Sequence, residues 1–204
     1  MPNIEPYQYP RGKKAPKFLD ITNVVCFFDI VGFTKKTTNQ EMKKVIKKIE
    51  DDMEELLWED FNWNERKKRN DLILIPTGDG YGIGFHPSIN NDRILSTITD
   101  LYKRLVDDDV FKIRMGIAKG PNIRHIDWNE IVNLFGYGIN LASRVVNLAA
   151  PNQILMHSDY ADELLKIKKN PDLHKINEPM QIKHGDAIIV YNYYRVGEFG
   201  VSIR

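Results

Sequence analysis

Asn23-Val24-Val25-Cys26-Phe27-Phe28-Asp29-Ile30-Val31-Gly32-Phe33-Thr34 decides how the rest of the chain is read. Asn23 to Ile30 is a continuous run of β-branched and aromatic residues, the pattern of a buried strand. Gly32 lets the chain turn tightly after it. Asp29 therefore stands at the end of a hydrophobic strand, where a carboxylate is exposed, supported by backbone and free to bind a hard cation. The same residue also reads as a cap for the following turn. Beyond it, a glycine turn leading towards a helix presents N–H groups to an anion.

Upstream, residues 1–17 carry Pro2, Pro6, Pro10 and Pro16 with several basic residues, and read as an extended arm. Residues 18–204 read as one domain without linker or repeat. Downstream, Val45, Ile46, Ile49, Met53, Leu56 and Leu57 recur at helical spacing. Arg66–Asn70 is a basic turn. Asp71–Pro76 and Tyr81–Phe85 are strands joined by Thr77-Gly78-Asp79-Gly80, a hairpin signature. Asn90–Asp107 reads as a second amphipathic helix and Phe111–Ala118 as a further strand. Gly136–Leu148 is a helix rich in small residues, ended by Ala149-Ala150-Pro151. Gln153–His157 reads as a strand, Ser158–Lys168 as a short helix, and Ile182–Val196 as a terminal hairpin around Gly185-Asp186. Helices interspersed with hairpins predict an α+β fold, with helices packed on a mixed or antiparallel sheet.

Composition closes off several classes. The 204 residues carry a formal net charge of +1, which gives no footprint for nucleic acid or an acidic membrane. No apolar run approaches the roughly 20 residues of a membrane span, and Met1–Lys17 lacks the apolar core of a signal peptide. The expectation is a soluble, cytoplasmic protein. The single cysteine, Cys26, lies inside the apolar run and reads as a buried thiol.

Asp29 and Asp79 would converge if their strands are neighbours, although Asp79 alone is also an ordinary turn residue of an Asp-Gly hairpin. Two carboxylates beside an amide cradle are what a triphosphate needs, because phosphoryl transfer is mostly positioning and charge neutralisation. Arg114, on the Phe111–Ala118 strand, adds a fixed positive charge. Asn140 and Arg144 stand four apart and share a helix face. An amide and a guanidinium together suit a ribose oxygen and a phosphate that gains charge. A plain solvated helix face is the other reading.

These segments resemble a known family. Phe28-Asp29-Ile30-Val31-Gly32-Phe33-Thr34 is similar to the FxDIxGFT motif of class III adenylate and guanylate cyclases. Thr77-Gly78-Asp79-Gly80 resembles their second metal-aspartate hairpin, and Ile113-Arg114-Met115-Gly116-Ile117 their RxGI strand. Phe135-Gly136-Tyr137-Gly138-Ile139-Asn140-Leu141-Ala142-Ser143-Arg144 resembles the WGxxVNxAxR helix, and Pro151-Asn152-Gln153-Ile154-Leu155 the strand that follows. The motifs run in family order over roughly residues 20–196. The resemblance implies a ferredoxin-like catalytic domain with a central, mostly antiparallel sheet. It implies that Asp29, Asp79 and the Ile30 carbonyl bind two divalent ions, Mn2+ or Mg2+. Backbone amides from Val31, Gly32, Phe33 and Thr34 would hold phosphates, with Arg114 and a late lysine, for which Lys183 is the candidate. Asn140 would orient the ribose and Arg144 stabilise the pentavalent phosphorus. It further implies a head-to-tail homodimer in which the aspartates and the Asn/Arg pair of one site come from different chains.

The base-reading positions depart from the family. Where adenylate cyclases carry Lys and guanylate cyclases Glu, this chain has Ile75; where the second reader is Asp or Cys, it has Asn133. Ile75 can neither donate to nor accept from a purine edge. An Asn133 amide pairs with uracil, or flips and pairs with cytosine. The reading that follows is a uridylate or cytidylate cyclase, UTP favoured for want of an acidic reader of the cytosine amine. It is similar to the stand-alone pyrimidine cyclases of bacterial Pycsar anti-phage systems, whose cyclic product implies a separate effector protein. An adenylate or guanylate cyclase is the alternative within the class. Outside it stand a catalytically silent nucleotide-binding regulatory domain and an RNA-binding ferredoxin-like module; the latter lacks a basic face with interleaved aromatics.

Overall fold

β1 (Phe18–Ile30) and β4 (Ile113–Ile126) lie antiparallel along their whole length and form the spine of the sheet. The computed structural model describes residues 18–35, 38–61, 71–106, 112–127, 131–167, 172–182, 185 and 187–193. The proline-containing arm, the Arg66–Asn70 turn and Lys183 lie outside the described residues. Outward from the spine, β3 (Gly80–Phe85) pairs with β1 and β2 (Leu72–Pro76) with β3, all antiparallel. On the other side β6 (Gln153–His157) joins β4 in parallel, followed by β10 (Val190–Tyr193) and β7 (Leu173–Lys175). β5 (Val132–Gly136) folds back on the distal half of β4. A small separate hairpin joins β8 (Met180–Gln181) to β9 (Ala187–Ile188).

α1 (Asn39–Phe61), α2 (Asn91–Val106) and α4 (Ser158–Ile167) cover one face of the sheet. α3 (Tyr137–Leu148) covers the other. Alternation along β1 explains the division. Val24, Cys26, Phe28 and Ile30 join the cluster under α1 and α2, while Val25 and Phe27 join the cluster under α3. Cys26 is fully buried, and desolvation pushes its thiol up to about 12.

Four strands differ from the sequence expectation. The predicted 111–118 strand continues to Ile126, because Lys119-Gly120-Pro121 reads as a break yet Pro121 sits in register opposite Thr22. β1 correspondingly begins at Phe18 rather than Asn23. β5 was hidden in what reads as the approach to a helix, which begins at Tyr137. The terminal segment also divides: a hairpin does form around Gly185, but its first strand, β8, precedes the predicted Ile182–Val196, and β10 leaves it to join the main sheet. α3 has no side-chain N-cap on Gly136. Buried Asn122 on β4 substitutes for one, its Oδ1 accepting the Ile139 N–H at 2.9 Å while its Nδ2 donates to Asn23 Oδ1 at 2.8 Å. Leaving one of these buried groups unpaired would cost about 1–3 kcal/mol, so the pair fastens the start of α3 to the spine.

Gly116 sets how closely α3 approaches. A Cβ there would strike the backbone of Val146 and come within 2.7 Å of Val145 C. The glycine of the Arg114-Met115-Gly116 segment thus lets the helix carrying Asn140 and Arg144 lie directly on β4.

Candidate active site

Asp29 and Asp79 meet because β1 and β3 are neighbours, with Asp29 in register opposite Gly80. The Ile30 N–H donates to the Asp79 carbonyl at 2.9 Å, which ties the hairpin tip to the end of β1. Gly32 then adopts φ +76°, a left-handed conformation that glycine enters without steric cost. A single 3-10 turn, Phe33–Lys35, follows. Asp29, Ile30, Val31, Gly32, Phe33, Asp79 and Arg114 line one pocket of about 250 Å³, closed by Ala149 and Pro151 beyond α3.

Arg114 lies in register opposite Asp29. Its Nε donates to Asp29 Oδ1 and its Nη2 to Asp29 Oδ2, each at 2.7 Å. The hydrogen bonds to Asp29, against a smaller opposing effect of burial and aided by the charges of Asp29 and Asp79, raise the guanidinium above its ordinary value. The sequence reading assigns Arg114 to phosphate; in the structure it engages the Asp29 carboxylate. The amide cradle is narrower than expected, because the Val31 N–H already donates to the Lys112 carbonyl at 2.8 Å. The N–H groups that remain for an anion begin at Gly32.

The donor set fits a hard divalent cation. Two carboxylates on adjoining strand ends share one pocket, and a positively charged group already stands beside both. Among the described residues no third His, Cys, Asp or Glu completes a cluster. Such a pair suits an ion that keeps water and takes phosphate oxygens as its remaining ligands.

Asn140 and Arg144 are not in this pocket. Asn140 is exposed on α3, and half-buried Arg144 extends towards Gly185, where a Cβ would lie 3.1 Å from its Nη1. Beside α3 and β5 the surface is apolar: Phe18, Ile131, Phe135 and Tyr137 are each more than half exposed.

The two base-reading positions are also separated by side-chain direction. Ile75 packs against the cluster under α3. Leu134 is buried in that cluster, so strand alternation turns its neighbour Asn133 the other way. Asn133 Nδ2 donates to Asp127 Oδ2 at 3.0 Å. Asp127 is an acidic neighbour that sequence reasoning missed; only the length of β4, which brings the chain back beside β5, reveals it.

This is the catalytic fold of class III nucleotide cyclases. The adenylyl cyclase CyaB from P. aeruginosa superposes with a TM-score of 0.70 at 16% identity, over 90% of this chain and 99% of that one. The guanylate cyclase domain of RhGC from Catenaria anguillulae, solved in complex with GTP, gives 0.64 at 19% identity, over 84% and 95%. A non-canonical dimeric guanylyl cyclase domain of the RhoGC fusion protein from the aquatic fungus Blastocladiella emersonii gives 0.63 at 18%, over 86% and 97%. The sequence itself matches no family model and no curated protein. Among the described residues no helix is long and apolar enough to cross a membrane.

Proposed function

We propose that this chain is a nucleotidyl cyclase, which closes a nucleoside triphosphate to its 3′,5′-cyclic monophosphate with release of pyrophosphate. The observation that carries the reading is the meeting of Asp29, Asp79 and Arg114 over the Gly32 turn in one pocket. Asp29 and Asp79 would hold two Mn2+ or Mg2+ ions, with the Ile30 carbonyl as a further ligand. Bound there, the ions would acidify the 3′-hydroxyl and neutralise the leaving group. Amides from Gly32 onward would receive the terminal phosphates, and Arg114 would move from Asp29 to a phosphate oxygen. Asn140 would orient the ribose, and Arg144 would meet the charge that builds on the α-phosphate.

Because Asn140 and Arg144 stand outside the aspartate pocket, the reading includes a homodimer in which each site takes its aspartates from one chain and its Asn/Arg pair from the other. The exposed apolar side chains beside α3 and β5 support a second copy as the partner. A cytoplasmic enzyme is the accompanying reading.

For the nucleotide, the similar structures favour a purine: one is named as an adenylyl cyclase, and another holds GTP. A pyrimidine, UTP or CTP, is the second reading, and it rests on Ile75, which offers no polar group to a purine edge. It carries with it the anti-phage role and the effector activated by cyclic nucleotide. The deciding experiment incubates the protein with each of ATP, GTP, CTP and UTP and Mn2+, and separates the cyclic products. Turnover by wild type and its loss in Asp79→Ala, with unchanged circular dichroism, supports the reading. No cyclic product from any of the four overturns it, and dominant use of UTP or CTP replaces the purine reading with the second.

A further inference from the structure

Among the described residues, three hydrogen bonds join Asp127, just past β4, to Ile131 and Asn133 at the opening of β5. The Asp127 N–H donates to the Ile131 carbonyl at 2.9 Å, and the Ile131 N–H returns to Asp127 Oδ1 at 2.9 Å. The third is the bond from Asn133 Nδ2 to Asp127 Oδ2 at 3.0 Å. One carboxylate oxygen is thus anchored on backbone while the other faces the Asn133 amide. An ionised carboxylate only accepts. The amide nitrogen must therefore face Asp127, and Asn133 Oδ1 is turned away from it. A flipped amide would set oxygen against oxygen and lose the bond.

We propose that Asp127 is a positioning residue for base selection. It holds Asn133 in a single polarity, with an acceptor outward, so that the site prefers a triphosphate whose base presents an exocyclic amine, adenine or cytosine. Guanine and uracil place a carbonyl oxygen there and meet Asn133 Oδ1 with like partial charge. This rests on the cyclase reading and on Asn133 as a base reader. Asp127 touches no base itself; it removes the freedom to flip that the sequence alone leaves to Asn133.

The test measures equilibrium binding and kcat/KM for ATP, CTP, GTP and UTP with wild type and three variants. Asp127→Asn keeps an oxygen for the Ile131 N–H but offers an NH2 group to Asn133, which invites the flip. The expected result is an amine-over-keto preference of about 10-fold or more in wild type that falls by about 10-fold in Asp127→Asn. Asn133→Leu is expected to lose the preference as well. The exchange Asp127→Asn with Asn133→Asp restores a donor facing an acceptor and leaves an acceptor outward, so it recovers the preference. A merely structural role for Asp127 would weaken all four nucleotides alike and leave the ratio unmoved. That outcome, or a preference unchanged in Asn133→Leu, overturns the inference. Should Asp127→Asn fail to fold, the exchange and Asn133→Leu still decide it. If wild type turns over no nucleotide, the cyclase reading fails while the binding ratios still judge Asp127.

Discussion

Arg114 and Asp29 form a two-pronged ion pair across β1 and β4, with both nitrogen-to-oxygen distances at 2.7 Å. The Asp29 side chain is only 14% exposed, so the pair is partly shielded from water. A charge-assisted fork of this kind is among the stronger side-chain pairings. It also means that the guanidinium already occupies the carboxylate a divalent ion would use. Metal alone must displace Arg114, whereas a metal–triphosphate offers Arg114 a phosphate in exchange.

Arg114→Gln is therefore expected to bind Mn2+ more tightly than wild type in the absence of nucleotide, by several-fold, and to bind nucleoside triphosphate more weakly. Mn2+ electron paramagnetic resonance titration reads the first and equilibrium dialysis the second. An unchanged Mn2+ affinity would show that Arg114 does not compete for Asp29.

The separation of Asn140 and Arg144 from the aspartate pocket gives a second expectation. Asp29→Ala and Arg144→Ala should each be inactive alone. Mixed after dissociation and reassociation, half of the dimers pair one chain of each kind, and each of these has one intact site of two. Activity should recover to roughly a quarter of wild type. Failure to recover in a mixture shown by mass spectrometry to contain mixed dimers would place both halves of the site in one chain.

The spine of the fold and the meeting of the aspartates were legible because each depends on a local signal. The apolar run around Cys26 marks a buried strand, and Asp79 sits in an Asp-Gly hairpin. What stayed hidden depends on contacts between distant segments. Pro121 looks like a strand breaker but pairs opposite Thr22. Arg114 reads as a free cation until the register places it against Asp29. Asp127 has no neighbour in sequence that hints at Asn133, since their bond needs β5 to return along β4.

Gly116 offers a test of how α3 is seated. Gly116→Ala would push a methyl group into the backbone of Val145 and Val146, which cannot move aside as a side-chain end can. Overpacking of this kind costs about 1–3 kcal/mol. The expected result is a lower denaturation midpoint in urea together with loss of activity, because the displaced helix carries Asn140 and Arg144. A midpoint equal to wild type would mean that α3 has room to spare.

His157 supplies a pH dependence of stability whose sign follows from its surroundings. It ends β6 and is only 7% exposed. Its Nδ1 lies 3.4 Å from the Asp159 N–H, which it accepts when the ring is neutral, and 3.7 Å from Asp159 Oδ2. Burial lowers its pKa below the ordinary 6.5, and the charges of Asp159 and Asp162 offset this only in part. The unfolded chain then binds the proton more readily than the folded one. Stability rises with pH wherever the unfolded state holds more protons. The contribution is thus fully present above about 6.5 and is lost as the pH falls through that value towards the folded pKa. The thermal midpoint should drop between pH 7 and 5, and His157→Gln should flatten the drop. The flattening is partial, because His86 is also lowered by burial. A pH profile that His157→Gln leaves unaltered would show that the folded and unfolded chains bind this proton equally well.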